Sequence, residues 1–265
     1  ENRTAALLAP YADPPGGNCP TMFTSEQTKA LMVALDAARF QIHVHVIGDA
    51  AARYEILYDY FDDQPALRAQ IAARASAALS PAMARLGFDP RPGEPALDAI
   101  LRSDLLDSLG AMGDPAVLAE ARRRFAWLDR DPAALDGPLK SRWIGIVAAN
   151  ASAAEWDKLR AMAKASKSAV ERSAFYTRLG NAKDPALAKR ALALALTDEP
   201  GKTVSAAIIS TVARAHPEMA VEFAQTNRAA VDGLIDASSR TRIDAGLAAR
   251  SNDPAMIAKL EAIAA

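Results

Sequence analysis

Asp-Pro-Ala followed by valine, leucine or methionine occurs three times, as Asp114-Pro115-Ala116-Val117, Asp184-Pro185-Ala186-Leu187 and Asp253-Pro254-Ala255-Met256. Each reads as a helix start. The carboxylate at the N-cap accepts from the free N–H groups of the first turn, and proline at the first helical position sacrifices no hydrogen bond. Ser152-Ala153-Ala154-Glu155 has the spacing of a capping box, and His216-Pro217-Glu218-Met219 opens in a similar way. In chain order, Asp114, Ser152, Asp184, His216 and Asp253 are 38, 32, 32 and 37 residues apart. A period of that size holds two helices and their turns, the unit of an α-solenoid.

Within one unit, Leu187, Ala191 and Leu194 fall on a single stripe, with Lys189 and Arg190 off it. Such a helix cannot bury its stripe alone, so neighbouring units must stack. The alternative is an irregular helical bundle with a recurring cap. Upstream the texture differs. Residues 10–24 are rich in proline and glycine and cannot hold regular structure for long. A helix capped by Thr24 or Ser25 is expected to run to about Arg39, with Leu31, Ala34, Leu35 and Ala38 at helical spacing. Gln41 to Ile47 alternates Ile42, Val44 and Val46, which predicts a strand closed by Gly48 and Asp49. The expected architecture is therefore mainly α: an α-solenoid over residues 54–265 with a short α/β N-terminal appendage over residues 1–53.

Lysine and arginine number 31 against 32 acidic residues, a net charge of −1 with no long run of one sign. This gives no electrostatic pull toward nucleic acid or an anionic membrane. Apolar runs fall well short of the ~18 residues of a membrane span. The single Cys19 excludes an internal disulfide and a cysteine-based zinc site. The chain opens Glu-Asn-Arg without a methionine and reads as a fragment or processed form, with its compartment left open.

Two of three histidines, His43 and His45, sit in His-Val-His-Val-Ile-Gly-Asp. On a strand they share a face and offer a bidentate metal grip. Two ligands are one short of the three a protein normally gives a catalytic zinc, so the pair is an incomplete metal site. His216 stands alone beside Pro217, most simply as part of a helix start.

Leu86-Gly87-Phe88, Gly93-Glu94, Leu101-Arg102, Leu105-Leu106, Leu109-Gly110, Gly113-Asp114-Pro115, Ala121 and Arg124-Phe125 follow one another in the first half. Glu171-Arg172, Leu179-Gly180, Lys183-Asp184-Pro185, Leu187 and Leu192 to Leu196 follow in the second. This ordered set, across roughly residues 55–265, resembles the C-terminal helical domain of the zinc aminopeptidases related to aminopeptidase N and the puromycin-sensitive enzyme. The resemblance implies a bowl of HEAT-like helix pairs that packs on a separate catalytic domain and helps enclose peptide substrates. It implies zinc in the parent enzyme and none in this chain, because the family's His-Glu-x-x-His helix, where two histidines one turn apart grip a single metal, does not occur here. Candidate peptide contacts on inward faces are Arg142, Tyr176 and Arg178, the alternative for each being a solvated or core-flanking place. Trp127, Trp143 and Trp156 are expected in the core between helices.

Pro10-Tyr11-Ala12-Asp13-Pro14-Pro15, Leu31, Leu35-Asp36-Ala37 and His45-Val46-Ile47-Gly48-Asp49-Ala50 are similar to a short piece of the amidohydrolase superfamily, near the N-substituted formamide deformylases. That resemblance, over residues 5–53, would make His45 a metal ligand at the end of a barrel strand, although the family's other ligands are missing. Two resemblances in one chain imply a join between Asp49 and Asp62. Three readings follow: a non-catalytic aminopeptidase domain, a metal-dependent amidohydrolase fragment, and a helical-repeat scaffold that binds another protein.

Overall fold

The computed structural model describes residues 46–131 and 133–264. They form thirteen helices: α1 (Val46–Tyr60), α2 (Pro65–Leu86), α3 (Ala96–Ala111), α4 (Pro115–Trp127), α5 (Lys140–Ala149), α6 (Ala153–Ala165) and α7 (Ala169–Leu179), then α8 (Pro185–Ala195), α9 (Lys202–Val212), α10 (Pro217–Thr226), α11 (Arg228–Leu234), α12 (Ile243–Ala248) and α13 (Ala255–Ala264). No strand occurs among the described residues.

The expected helix starts are made by the expected atoms. Asp114 accepts from the N–H groups of Ala116 and Val117 at 3.0 and 3.1 Å. Asp184 takes that of Ala186 at 2.7 Å, and Asp253 that of Ala255 at 2.9 Å. Ser152 and Glu155 close a full capping box. Asp114 does more than its counterparts, because its second oxygen also accepts from the hydroxyls of Ser76 and Ser80 on α2. Asp114→Ala will therefore cost about 2 kcal/mol and Asp253→Ala about 1 kcal/mol, read from urea midpoints; equal losses would remove the link to α2.

The helices lie in two rows. α1 packs on α3, α3 on α5, α5 on α7, α7 on α9 and α9 on α11, so the odd helices form a continuous layer. The even helices α2 to α10 cover its other side, each seated against the odd helices beside it. The row whose members touch one another follows the shorter arc and is the inner face of an α-solenoid. The stripe on α8 is buried as its spacing demanded, with Leu187, Ala191 and Leu194 inside and Lys189 and Arg190 outside. Two Leu-Gly pairs set how closely the inner helices approach. A Cβ at Gly110 would stand 2.6 Å from Ile146 on α5, and one at Gly180 would stand 2.9 Å from the carbonyl of Ile208 on α9.

Two sequence expectations are corrected here. Val46 and Ile47, expected to end a strand, and Gly48 and Asp49, expected to turn it, belong to the first turns of α1. Helix satisfies their backbone groups locally where a lone strand would leave them unpaired, and Ala50 to Ala52 favour it. The remainder of that stretch, Gln41 to His45, lies outside the described residues, as do the Pro/Gly-rich segment and the helix expected from Thr24 or Ser25. α1 runs without a break through residues 53 and 54, the boundary expected from sequence. The second correction is Trp127. Trp143 and Trp156 are fully buried, but Trp127 ends α4 on the outer row and is 47% exposed, with the Arg130 guanidinium over its ring.

Candidate functional site

The inner face carries a groove of about 730 Å³ whose polar walls are Asp107 on α3, Ser141 and Arg142 on α5, Arg178 and Asn181 at the end of α7, and Arg214 in the turn after α9. Arg178, Asn181 and Arg214 also line a recess of about 370 Å³ beside it, and Arg214 reaches a third of about 610 Å³ with Arg68, Lys183 and Arg250. These shared residues join the three hollows along the inner row.

The arginines have a regular placement. Arg142, Arg178 and Arg214 precede their units' capping residues Ser152, Asp184 and His216 by ten, six and two positions. Counted from the ends of α5, α7 and α9, Arg142 lies seven residues inside, Arg178 one inside and Arg214 two beyond, so successive guanidiniums move toward the C-terminal rim of the inner helices. Arg142 pairs with Asp107. Arg178 bridges to the Ser141 hydroxyl at 2.5 Å and to the Ala174 carbonyl at 3.2 Å, and burial pulls it below its ordinary pKa. Two of the three expected contact residues therefore face the groove. Tyr176 does not: it is 2% exposed, and its hydroxyl donates to Glu199 in a cluster with Arg160 and Lys164. Glu199 is held near pKa 2 by Arg160 and Lys164. Arg214, Arg68 and Lys183 were missed from sequence. The shift of four residues per unit relative to the caps was the signal that could have found Arg214.

The rim itself is built from helix C-termini, whose last carbonyls lack intrahelical donors. Asn150 donates to Gly110 O at 3.2 Å and Ile146 O at 2.9 Å. The Lys183 ammonium donates to Ala111 O and, at 3.0 Å, to Asn150 Oδ1, while its backbone N–H reaches Ala149 O. His216 makes no side-chain cap, and its Nε2–H donates to Ala182 O at 3.0 Å. At the far end Asn252 donates to the Asp59 and Tyr60 carbonyls that finish α1, beside an Arg250–Asp59 ion pair. Each unit thus completes the helix ends of another.

Burial, reinforced by Arg68, pushes the Lys183 amine down to about 8 from its ordinary 10.5. Between those values the unfolded chain holds a proton that the folded chain has released, so this group makes stability rise with pH across that window. Relative to Lys183→Met, the native chain will gain on the order of 2 kcal/mol between pH 8 and 10.5. A constant difference in urea midpoints across that range would contradict the burial of this amine.

Among the described residues no three histidine, cysteine or carboxylate side chains converge as a metal site. His43 and His45 lie outside the described residues. No described helix is long and apolar enough to cross a membrane. Compared with known families, residues 27–265 match the family model described as the ERAP1-like C-terminal domain. The match takes in His43 and His45 and leaves the amidohydrolase resemblance without support.

Proposed function

The chain belongs to the family of ERAP1-like C-terminal domains, the non-catalytic C-terminal domains of zinc aminopeptidases, and from that premise we propose that its inner face is one wall of a chamber enclosing peptides beside an aminopeptidase catalytic domain. The family's zinc sits in the catalytic domain, and the described residues supply no ligand set for it. This chain's part is to bind, orient and confine. Domains of this family pack on such a catalytic domain; that the peptide lies along the inner row here is our reading.

The observation that carries it is the continuous hollow running from Asp107 to Arg214 across α3, α5, α7 and α9. A scaffold for protein partners could use the outer row equally well, but that row is laced with ion pairs such as Arg190–Asp157 and Arg123–Glu120. The polar side chains of Ser141, Arg178 and Asn181 line the hollow itself.

The test adds this chain to an aminopeptidase catalytic portion that lacks its own C-terminal domain and follows cleavage of peptides of graded length. Association at micromolar concentration with a changed length preference is expected. No association, or association that leaves the length profile untouched, would overturn the reading.

A further inference from the structure

The cations of this chain are disposed unevenly. Among the described residues, the part-buried lysines and arginines have an acidic side chain within ion-pair reach: Arg102 with Glu94, Arg124 with Glu120, Lys140 with Glu171, Arg142 with Asp107, Lys158 with Asp129, Arg160 with Glu199 and Arg228 with Asp244. Arg68, Arg178 and Lys183 are the exceptions: Arg178 lines the inner groove, while Lys183 and Arg68, the latter near the start of α2, line the rim hollow joined to it through Arg214. Exposed Arg214, between them, also has no acidic partner among the described residues.

Taking a charge out of water without a counter-charge is costly. The Ala111 carbonyl at the end of α3 and the Ala174 carbonyl within α7 soften that cost at Lys183 and Arg178 without neutralising either, and Asp59, which lines the third hollow with Asp62 and is itself paired with Arg250, offsets only part of the positive charge around Lys183. The Arg68 Nε is buried with no hydrogen-bond partner, its guanidinium lying 4.0 Å over the Tyr58 ring. These groups repel one another, and Arg68 contributes to the lowered pKa of Lys183. An incoming anion would relieve both the repulsion and the unmet hydrogen bonds.

Building on the peptide-wall reading, we propose that the row Arg178–Arg214–Lys183–Arg68 selects polypeptide segments bearing aspartate or glutamate side chains, which dock as counter-ions along the groove. A flexible peptide can place carboxylates at separated points, which suits cations spread over several units, and a guanidinium can grip each by two hydrogen bonds. Nucleic acid fits less well. The two hollows around Arg178 have no aromatic side chain on which a base could stack, the third has Tyr60 and a Tyr58 ring already covered by Arg68, and a chain of net charge −1 lacks the long-range field of a polyanion binder.

The test measures fluorescence anisotropy of the 265-residue chain with two acetylated, amidated peptides of about ten residues, one with glutamate at alternate positions and one with glutamine there. Blocking both ends leaves side chains as the sole carboxylates. The glutamate peptide should bind at least about ten-fold more tightly at low salt, with the advantage falling sharply by about 0.3 M salt. Arg178→Gln and the exposed Arg214→Gln should each reduce that advantage several-fold, whereas Arg74→Gln, exposed on α2 and outside the groove, should not. Equal binding of both peptides would overturn the charge selection while leaving the peptide-wall reading standing. Equal loss in all three variants, binding of neither peptide, or tighter binding of single-stranded DNA than of the glutamate peptide would also overturn it; the wall reading is then judged by peptide-length preference.

Discussion

Replacing Arg102 with methionine will lower stability by about 3–4 kcal/mol, and the melting temperature by roughly 10 °C, in a chain of this size. Arg102 is 1% exposed and is wholly engaged. Its guanidinium forks onto both Glu94 oxygens, while its other N–H groups reach Leu86 O and Gly87 O at 3.1 and 3.0 Å. Those carbonyls end α2, and Gly87 leaves the helix at φ 72°, so the arginine ties that exit to α3 and to the loop carrying Glu94. Methionine fills the space but leaves one carboxylate and two carbonyls without donors. Adding Glu94→Leu should recover part of the loss, because the stranded charge goes with it. A single variant within experimental error of the native chain would contradict the arrangement.

Trp156→Ala is expected to cost about 3–5 kcal/mol, and Trp127→Ala to stay within about 0.5 kcal/mol of the native chain. Trp156 on α6 is 1% exposed, donates its indole N–H to Leu179 O at 3.1 Å, and has the Arg190 guanidinium 4.2 Å above its ring. Removing it opens a cavity between α6 and α7 and strips a donor from the end of α7. Trp127 meets solvent over nearly half its surface and has no such duties. Urea midpoints for the two variants decide the matter, and similar losses would place both tryptophans in the core.

These residues show what the sequence made legible. Caps are local, so Asp114, Ser152, Asp184 and Asp253 could be read from three or four consecutive letters, and they bond as read. The motifs behind the aminopeptidase resemblance are also local or nearly so, and most are structural: Glu94 pairs with the buried Arg102, and Gly110 and Gly180 permit close helix approach. Their recurrence marks the fold rather than a chemical centre. Val46 and Ile47, the end of the expected strand, are helical because alternation over a few residues weighs little against a following helix that can extend backward to satisfy the same backbone groups.

The groove was harder to read because its walls come from units more than thirty residues apart. Arg142 and Arg178, expected on inward faces, line the groove. Tyr176 was misplaced because residues two apart on a helix point about 200° from each other, so it cannot share Arg178's face. Arg214 sits in a turn beyond its helix's stripe, legible only through its offset from the following cap. Arg68 and Lys183 acquire meaning only through what lies near them in space: the unpartnered Nε of Arg68 among the described residues, and the converging helix ends for Lys183. Burial and pairing are properties of the packed solenoid, and no spacing in the chain announces them.

Peptides are expected to meet the inner row. A photoreactive peptide held in the complex of this chain with an aminopeptidase catalytic portion, crosslinked and mapped by mass spectrometry, tests it most directly. Labels on α5, the end of α7 and the turn holding Arg214 are the predicted result. Labels confined to α4, α6 and α8 would contradict it.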